Sequence, residues 1–156
     1  MIESLVSAME EEDSLEKYAV QVALVREPGV HDRPTLDTPE AVYRTFASLA
    51  DLDRECVVAA LLDGGHRLNA IHAVHIGTAS QSLVGMPDVF KAAILANARG
   101  VVLIHNHPSG LPEPSNDDME LTRRVKETGE LLGIPLLDHV IVAAEGYTSL
   151  RRRHAL

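Results

Sequence analysis

Two histidines two residues apart, then a serine and an aspartate three apart, are the residues in this 156-residue chain best suited to holding a metal ion. They are His105, His107, Ser115 and Asp118, within the run VVLIHNHPSGLPEPSNDD over residues 101–118. On an extended chain, alternate side chains share a side, so both imidazoles face one way and Asn106 faces the other. Alternate Cα positions are then ~6.6 Å apart, close enough for two tilting side chains to reach one ion through nitrogen bonds of about 2 Å. With Asp118 as third ligand a tetrahedral ion keeps one open position, which marks a catalytic rather than a structural zinc site.

The same residues also have a purely structural reading. Ser115 and Asp118 form S-x-x-D, in which the serine oxygen accepts from the aspartate amide and the carboxylate reaches back to cap the serine amide. The histidines would then be strand-end residues at a polar rim. What favours the metal is the coincidence of H-x-H, a shaped loop and an acidic helix start within one short run.

The flanking elements must bring these groups together. Residues 101–104 are apolar and predict a buried strand, which Pro108 ends by removing a backbone donor. Glycine and proline fill the loop after it, and residues 116–132 carry Leu121, Val125 and Leu132 on one helical stripe that stops at Gly133 and Pro135. A strand over residues 136–143 is expected to close the sheet. Within it, Asp138 and His139 read either as a buried pair behind the ligands or as a packed, satisfied polar pair.

Upstream, residues 17–26 have the β-branched content and partial alternation of an edge strand. Thr38 before Pro39 predicts a helix whose apolar face is Val42, Phe46 and Leu49, ending near Ala50. Residues 55–63 form a near-continuous apolar run, predicted to pair as a hairpin with residues 67–76 across Gly64 and Gly65. Glu55 stands at the mouth of that strand. His72 and His75, three apart, are expected to face opposite sides and so not to share a ligand role. Residues 77–86 read as a polar loop, followed by a helix over residues 87–98 with Gly100 as its stop. Strand-helix-strand passages in succession predict an α/β fold, a mixed β-sheet flanked by helices with the site at strand ends.

Composition narrows the class. A length of 156 residues suits one domain, expected over residues 17–156 behind an acidic arm, residues 1–16. Apolar residues make up 46% of the chain but only 3% is aromatic, so the core must be aliphatic. Cys56 is the single cysteine, which excludes an internal disulfide and reads as a small buried hydrophobe. With no membrane-length apolar run and an acidic start, MIESLVSAMEEED, a cytoplasmic location is expected and a membrane partner is not. A net charge of −9 argues against a general nucleic-acid binder. Arg151, Arg152 and Arg153, the only basic run, read as a solvated terminus.

H-x-H-P, six residues, then S-x-x-D resembles the metal motif of the JAB/MPN (JAMM) metalloprotease-like domains. HNHPSG, TGELLGI, PLLDHVIVA and YTSL together resemble the RadC family, over roughly residues 18–150. This resemblance implies the JAB/MPN (cytidine-deaminase-like) three-layer arrangement and a short form without the helix-hairpin-helix segment. It also implies that Glu55, in RECVVAALLDG, is the catalytic glutamate that precedes an apolar strand ending in glycine. Where RadC relatives usually carry Pro-Arg-Glu ahead of the helix over residues 87–98, this chain has Met86, Pro87 and Asp88.

The expected chemistry is zinc-assisted hydrolysis of an amide-like bond in a peptide or isopeptide substrate. Zn2+ would be held by His105, His107 and Asp118, and would lower the pKa of a bound water to about 7. Glu55 would move its proton, while Ser115 donates a hydroxyl hydrogen to the developing oxyanion. Two other readings stand beside it. Two histidines and a carboxylate also suit an iron oxygenase. RadC relatives are traditionally linked to DNA repair, which implies a binding module for DNA or a replication partner.

Overall fold

The computed structural model describes residues 32–77 and 84–156. The acidic arm, the strand expected over residues 17–26 and most of the loop over residues 77–86 lie outside the described residues.

Among the described residues the architecture is a mixed five-stranded sheet covered by helices on both faces. The strands are β1 (Cys56–Leu62), β2 (Leu68–Ile76), β3 (Gly100–Asn106), β4 (Leu136–Ala143) and β5 (Gly146–Ser149). They lie in the order β2-β1-β3-β4-β5. Among the described strands only β3 and β4 run parallel, and the three other neighbouring pairs are antiparallel. Every residue of β1 and of β3 is buried. That explains why both read as continuous apolar runs without alternation: each face of a central strand meets a helix.

The two faces divide by alternation along the strands. Val57, Ala59, Leu61, Val101 and Leu103 pack with Val89, Phe90 and Ala93 of helix α2 (Met86–Leu95) and with Leu121 and Val125 of helix α3 (Asn116–Leu132). Val58, Ala60, Val102, Ile104 and Val140 pack instead with Val42 and Phe46 of helix α1 (Pro39–Phe46). Three layers result. Thr38 caps α1 through its side chain and Pro39 opens it. Near its end α3 passes so close to the following turn that a Cβ on Gly129 would lie 2.5 Å from the Ile134 carbonyl oxygen, hence a glycine there. Among the described residues no helix is long and apolar enough to cross a membrane.

Several expectations need adjustment. α1 ends at Phe46 and continues as a 3-10 turn, Ala47–Asp51, instead of remaining α-helical to residue 50. α2 ends at Leu95, and Asn97 takes a left-handed conformation before β3 begins. Leu132 remains 45% exposed, so the α3 stripe does not bury its last member. β4 does not close the sheet, because the chain turns back as β5, which takes the edge position among the described strands.

His72 and His75 do not face opposite sides. A bulge between Val57 and Val58 in the β1–β2 pairing sets His75 across from Val57 and His72 across from Ala59, two residues of one face. One extra residue reverses the parity on which simple alternation depends. Neither histidine joins the metal group. The His72 ring is 3.0 Å from the Asp88 carbonyl oxygen.

Candidate metal centre

The site forms where β3 ends, beside the start of β1 and the first turn of α3. Strand periodicity directs His105 toward the α3 side, and the loop after His107 returns the chain so that Ser115 caps α3. Ser115 and Asp118 make the reciprocal capping box. Asp118 N–H donates to Ser115 Oγ at 3.1 Å, and Ser115 N–H donates to Asp118 Oδ2 at 2.6 Å. This first turn holds the Asp118 carboxylate, 0% exposed, against both histidines. His105 Nδ1 lies 2.9 Å from Oδ1, and His107 Nε2 lies 3.3 Å from Oδ2. The two imidazoles meet edge to face with centroids 4.7 Å apart.

Charge is concentrated on Asp118. Burial alone would raise its carboxyl pKa, but hydrogen bonds from His105, then His107, then Ser115 outweigh that and hold it far below the usual carboxylate range. His107 is shifted the other way. Its contact with Asp118 raises its pKa against the opposing effect of burial, and the charge of Glu55 adds to the rise. Glu55 therefore lies within electrostatic reach of His107. The two also line one open pocket of about 720 Å³, together with Ser115, Asp53, Glu113 and Asp117. The rim is held from the chain's end, where Arg153 forms a two-pronged ion pair with Glu113 at 2.8 and 3.1 Å. The terminal arginines are thus exposed but partly paired, as Arg152 also bridges to Glu40.

A third histidine reaches the centre from behind. Donor atoms of His105, Asp118 and His139 all lie within 4.8 Å of one another, and all three residues are buried. The tautomer of His139 follows from its partner. Thr122 Oγ1 is 2.6 Å from the Asp118 backbone oxygen, which can only accept, so this contact uses the hydroxyl's one hydrogen. The 2.7 Å contact between Thr122 Oγ1 and His139 Nδ1 must then run the other way, with Nδ1–H donating. This leaves the lone pair on His139 Nε2, a buried atom with no hydrogen-bond partner among the described residues. Such an orphan is costly unless something binds it. A cation among these residues is what the donor set fits, two or three imidazole nitrogens and a carboxylate being a zinc-like set.

Asp138 meets His139 through the backbone, its Oδ1 accepting from the His139 amide at 2.8 Å. Asp138 turns to Ser149 Oγ at 2.7 Å and to the Arg151 amide at 3.1 Å, anchoring the turn after β5. Thr122 carried no signal in the sequence as a site residue beyond its place one helical turn after Asp118.

Two tests arise from this geometry. Burial, followed by repulsion from His105, pushes the His139 imidazole down to about 3. Between that value and about 6.5 the unfolded chain takes up a proton that the folded chain refuses, so this group costs stability as pH falls below about 6.5, at up to about 1.4 kcal/mol per pH unit. Chemical denaturation of metal-free protein between pH 7.5 and 5 should show a flatter acid-side decline in His139→Phe than in wild type. Parallel curves would assign that decline to other groups. Ser115→Ala removes the α3 cap and should lower stability by about 0.5–2 kcal/mol, read as a shift in denaturation midpoint. An unchanged midpoint would mean that the helix start is held by other contacts.

Comparison with known proteins follows the same lines. A family profile described as RadC-like JAB domain matches residues 36–155. A UPF0758 protein of Thermotoga maritima is 45% identical over 123 residues, covering 78% of this chain and 54% of its own length. One from Rubrobacter xylanophilus is 44% identical over 141 residues, 90% of this chain and 60% of its own length. A third, from Syntrophotalea carbinolica, is 42% identical over 130 residues, 83% of this chain and 56% of its own. The chain thus spans between about half and three-fifths of the length of these relatives.

Proposed function

Because the chain belongs to the family of RadC-like JAB domains, we propose that it is a zinc-dependent hydrolase of an amide bond, in a peptide or an isopeptide linkage. The observation that carries this reading is the convergence of His105 and His107 on the two oxygens of one buried carboxylate, beside an open pocket lined by Glu55 and Ser115. His105, His107 and Asp118 are the proposed ligands. His107 is preferred to His139 as the third because it borders the pocket, whereas His139 is 0% exposed and its donor atom faces the centre from the interior. A substrate must reach the ion's open position.

When bound, the ion would act as a Lewis acid and bring a water to ionise near neutral pH. The remaining work falls to side chains. Glu55, at the pocket wall, accepts the proton and returns it to the leaving nitrogen, so that one carboxylate serves as base and then acid. Ser115 stabilises the oxyanion that develops on the substrate carbonyl. Its hydroxyl hydrogen is directed at Asp118 Oδ2, 2.7 Å away, so this role requires the hydroxyl to rotate outward while its oxygen still accepts from Asp118 N–H. The pocket's size suits a segment of extended peptide or a small amide.

The test is hydrolysis of a mixed peptide library and of lysine isopeptide conjugates by the full chain. Metal-loaded protein should release new amino termini or lysine side-chain amines, and chelated protein should not. Absence of cleavage by loaded protein, together with salt-dependent DNA affinity, would favour the binding-module reading.

A further inference from the structure

Between the two proposed histidine ligands lies Asn106, 0% exposed and directed to the opposite side of β3 from them. Both ends of its side chain are engaged, and both reach the segment that carries Glu55. Oδ1 accepts from the Cys56 amide at 2.6 Å, and Nδ2 donates to the Arg54 carbonyl at 2.8 Å. An amide N–H can only donate and a carbonyl can only accept, so the orientation of the carboxamide is determined. Aspartate would set an oxygen against the Arg54 oxygen, and an aliphatic isostere would lose both contacts.

The strand register explains why this clamp bears on the pocket. β1 and β3 pair antiparallel, with Val57 across from His105 as the pair nearest the site. Glu55 and His107 each lie two residues beyond that pair, and both line the pocket. Glu55 lies just beyond the end of β1, where the ladder no longer holds the backbone. Asn106 takes over on both sides of it, and the Gly77 amide donates to the Glu55 carbonyl at 3.0 Å from the β2 side. The backbone around Glu55 is thereby fixed and its side chain is left to face the pocket.

We propose that Asn106 is a positioning residue that holds Glu55 against the metal seat, so that the residue between the two histidines aligns the proton acceptor with the ion they bind. This rests on the hydrolase reading of the pocket. Asn106 would touch neither substrate nor ion. A residue that merely finishes the ladder would affect stability alone, and the two roles can be separated.

The experiment uses cobalt(II) as the bound ion in wild type, Glu55→Gln, Asn106→Ala and the double variant, with the visible spectrum titrated against pH. A carboxylate beside an ionising water opposes the loss of its proton, so Glu55→Gln should lower the spectral midpoint by about 1 pH unit. Asn106→Ala should bind cobalt at the wild-type stoichiometry and lower the midpoint in the same direction. The double variant should match Glu55→Gln alone, because displacing an absent carboxylate has no effect. If Asn106→Ala keeps the wild-type midpoint while Glu55→Gln shifts it, the positioning role is wrong and the hydrolase reading survives. If cobalt binds but Glu55→Gln leaves the midpoint in place, the proton-acceptor assignment falls and this proposal with it. Failure of wild type to bind cobalt would overturn the metal reading itself. Should Asn106→Ala not fold, Asn106→Leu fills the same space, adds no charge and loses both contacts, and it must show the midpoint shift for the proposal to stand.

Discussion

Asp118→Ala is expected to abolish metal binding, taking the content from about one ion per chain to none detectable. Asp118 offers both carboxylate oxygens to the site, one to each proposed histidine ligand. Its pKa is held well below the usual carboxylate range, so it presents a full negative charge near neutral pH. Removing it leaves only imidazole donors, which supply no negative charge, and an ion entering a buried site without a compensating charge meets a large desolvation cost. The measurement is elemental analysis of wild type and variant purified side by side without added ions. Asp118→Asn separates charge from shape, since its amide oxygen can still accept from the Ser115 amide and keep the α3 cap. Retention of wild-type metal content by both variants would place the ion elsewhere. No metal in wild type after zinc is supplied would leave Ser115 and Asp118 as a helix cap and the histidines as strand-end residues.

Glu55→Gln should have the second large effect, and of a different kind. Glutamine keeps the size and polarity of the side chain but cannot take up a proton, so metal content should stay at the wild-type level. Turnover of a peptide or isopeptide substrate should fall by about 10²- to 10⁴-fold, the usual contribution of a general base. The structure motivates this through the shared pocket and the effect of the Glu55 charge on His107. The readout is kcat alongside metal stoichiometry on the same preparation. Wild-type turnover would move the proton-transfer role to another pocket carboxylate, with Asp53, Glu113 and Asp117 the alternatives on the wall. Loss of metal together with activity would instead make Glu55 a contributor to ion binding.

The cap and the proposed oxyanion role of Ser115 share one hydroxyl. In the metal-free chain its hydroxyl belongs to the capping box and donates to Asp118. An ion bound through the Asp118 carboxylate would compete for the same lone pairs and favour turning that hydroxyl toward the pocket. The helix cap would persist in both rotor states, because Ser115 Oγ accepts from Asp118 N–H whichever way its hydrogen points.

Much of this protein was readable from local pattern. Period-two spacing put His105 and His107 on one side and Asn106 on the other, because a strand alternates whatever surrounds it. S-x-x-D predicted the helix start and the return of Asp118, since a capping box is closed by residues three apart. The unbroken apolar runs of β1 and β3 implied strands covered on both faces.

Contacts between distant segments were decided only by the tertiary structure. His139 joins the centre because β4 lies parallel beside β3 and beneath α3, and its tautomer depends on Thr122 of that helix. Strand order, set by how both faces of the sheet are buried, leaves no trace in the spacing around residue 139. The same holds for Asn106, whose partners Arg54 and Cys56 are about fifty positions away, and for the bulge that brings His72 and His75 to one face. Local periodicity encodes which residues share a face within an element. Which element lies next to it, and in what register, is settled only when the whole core packs.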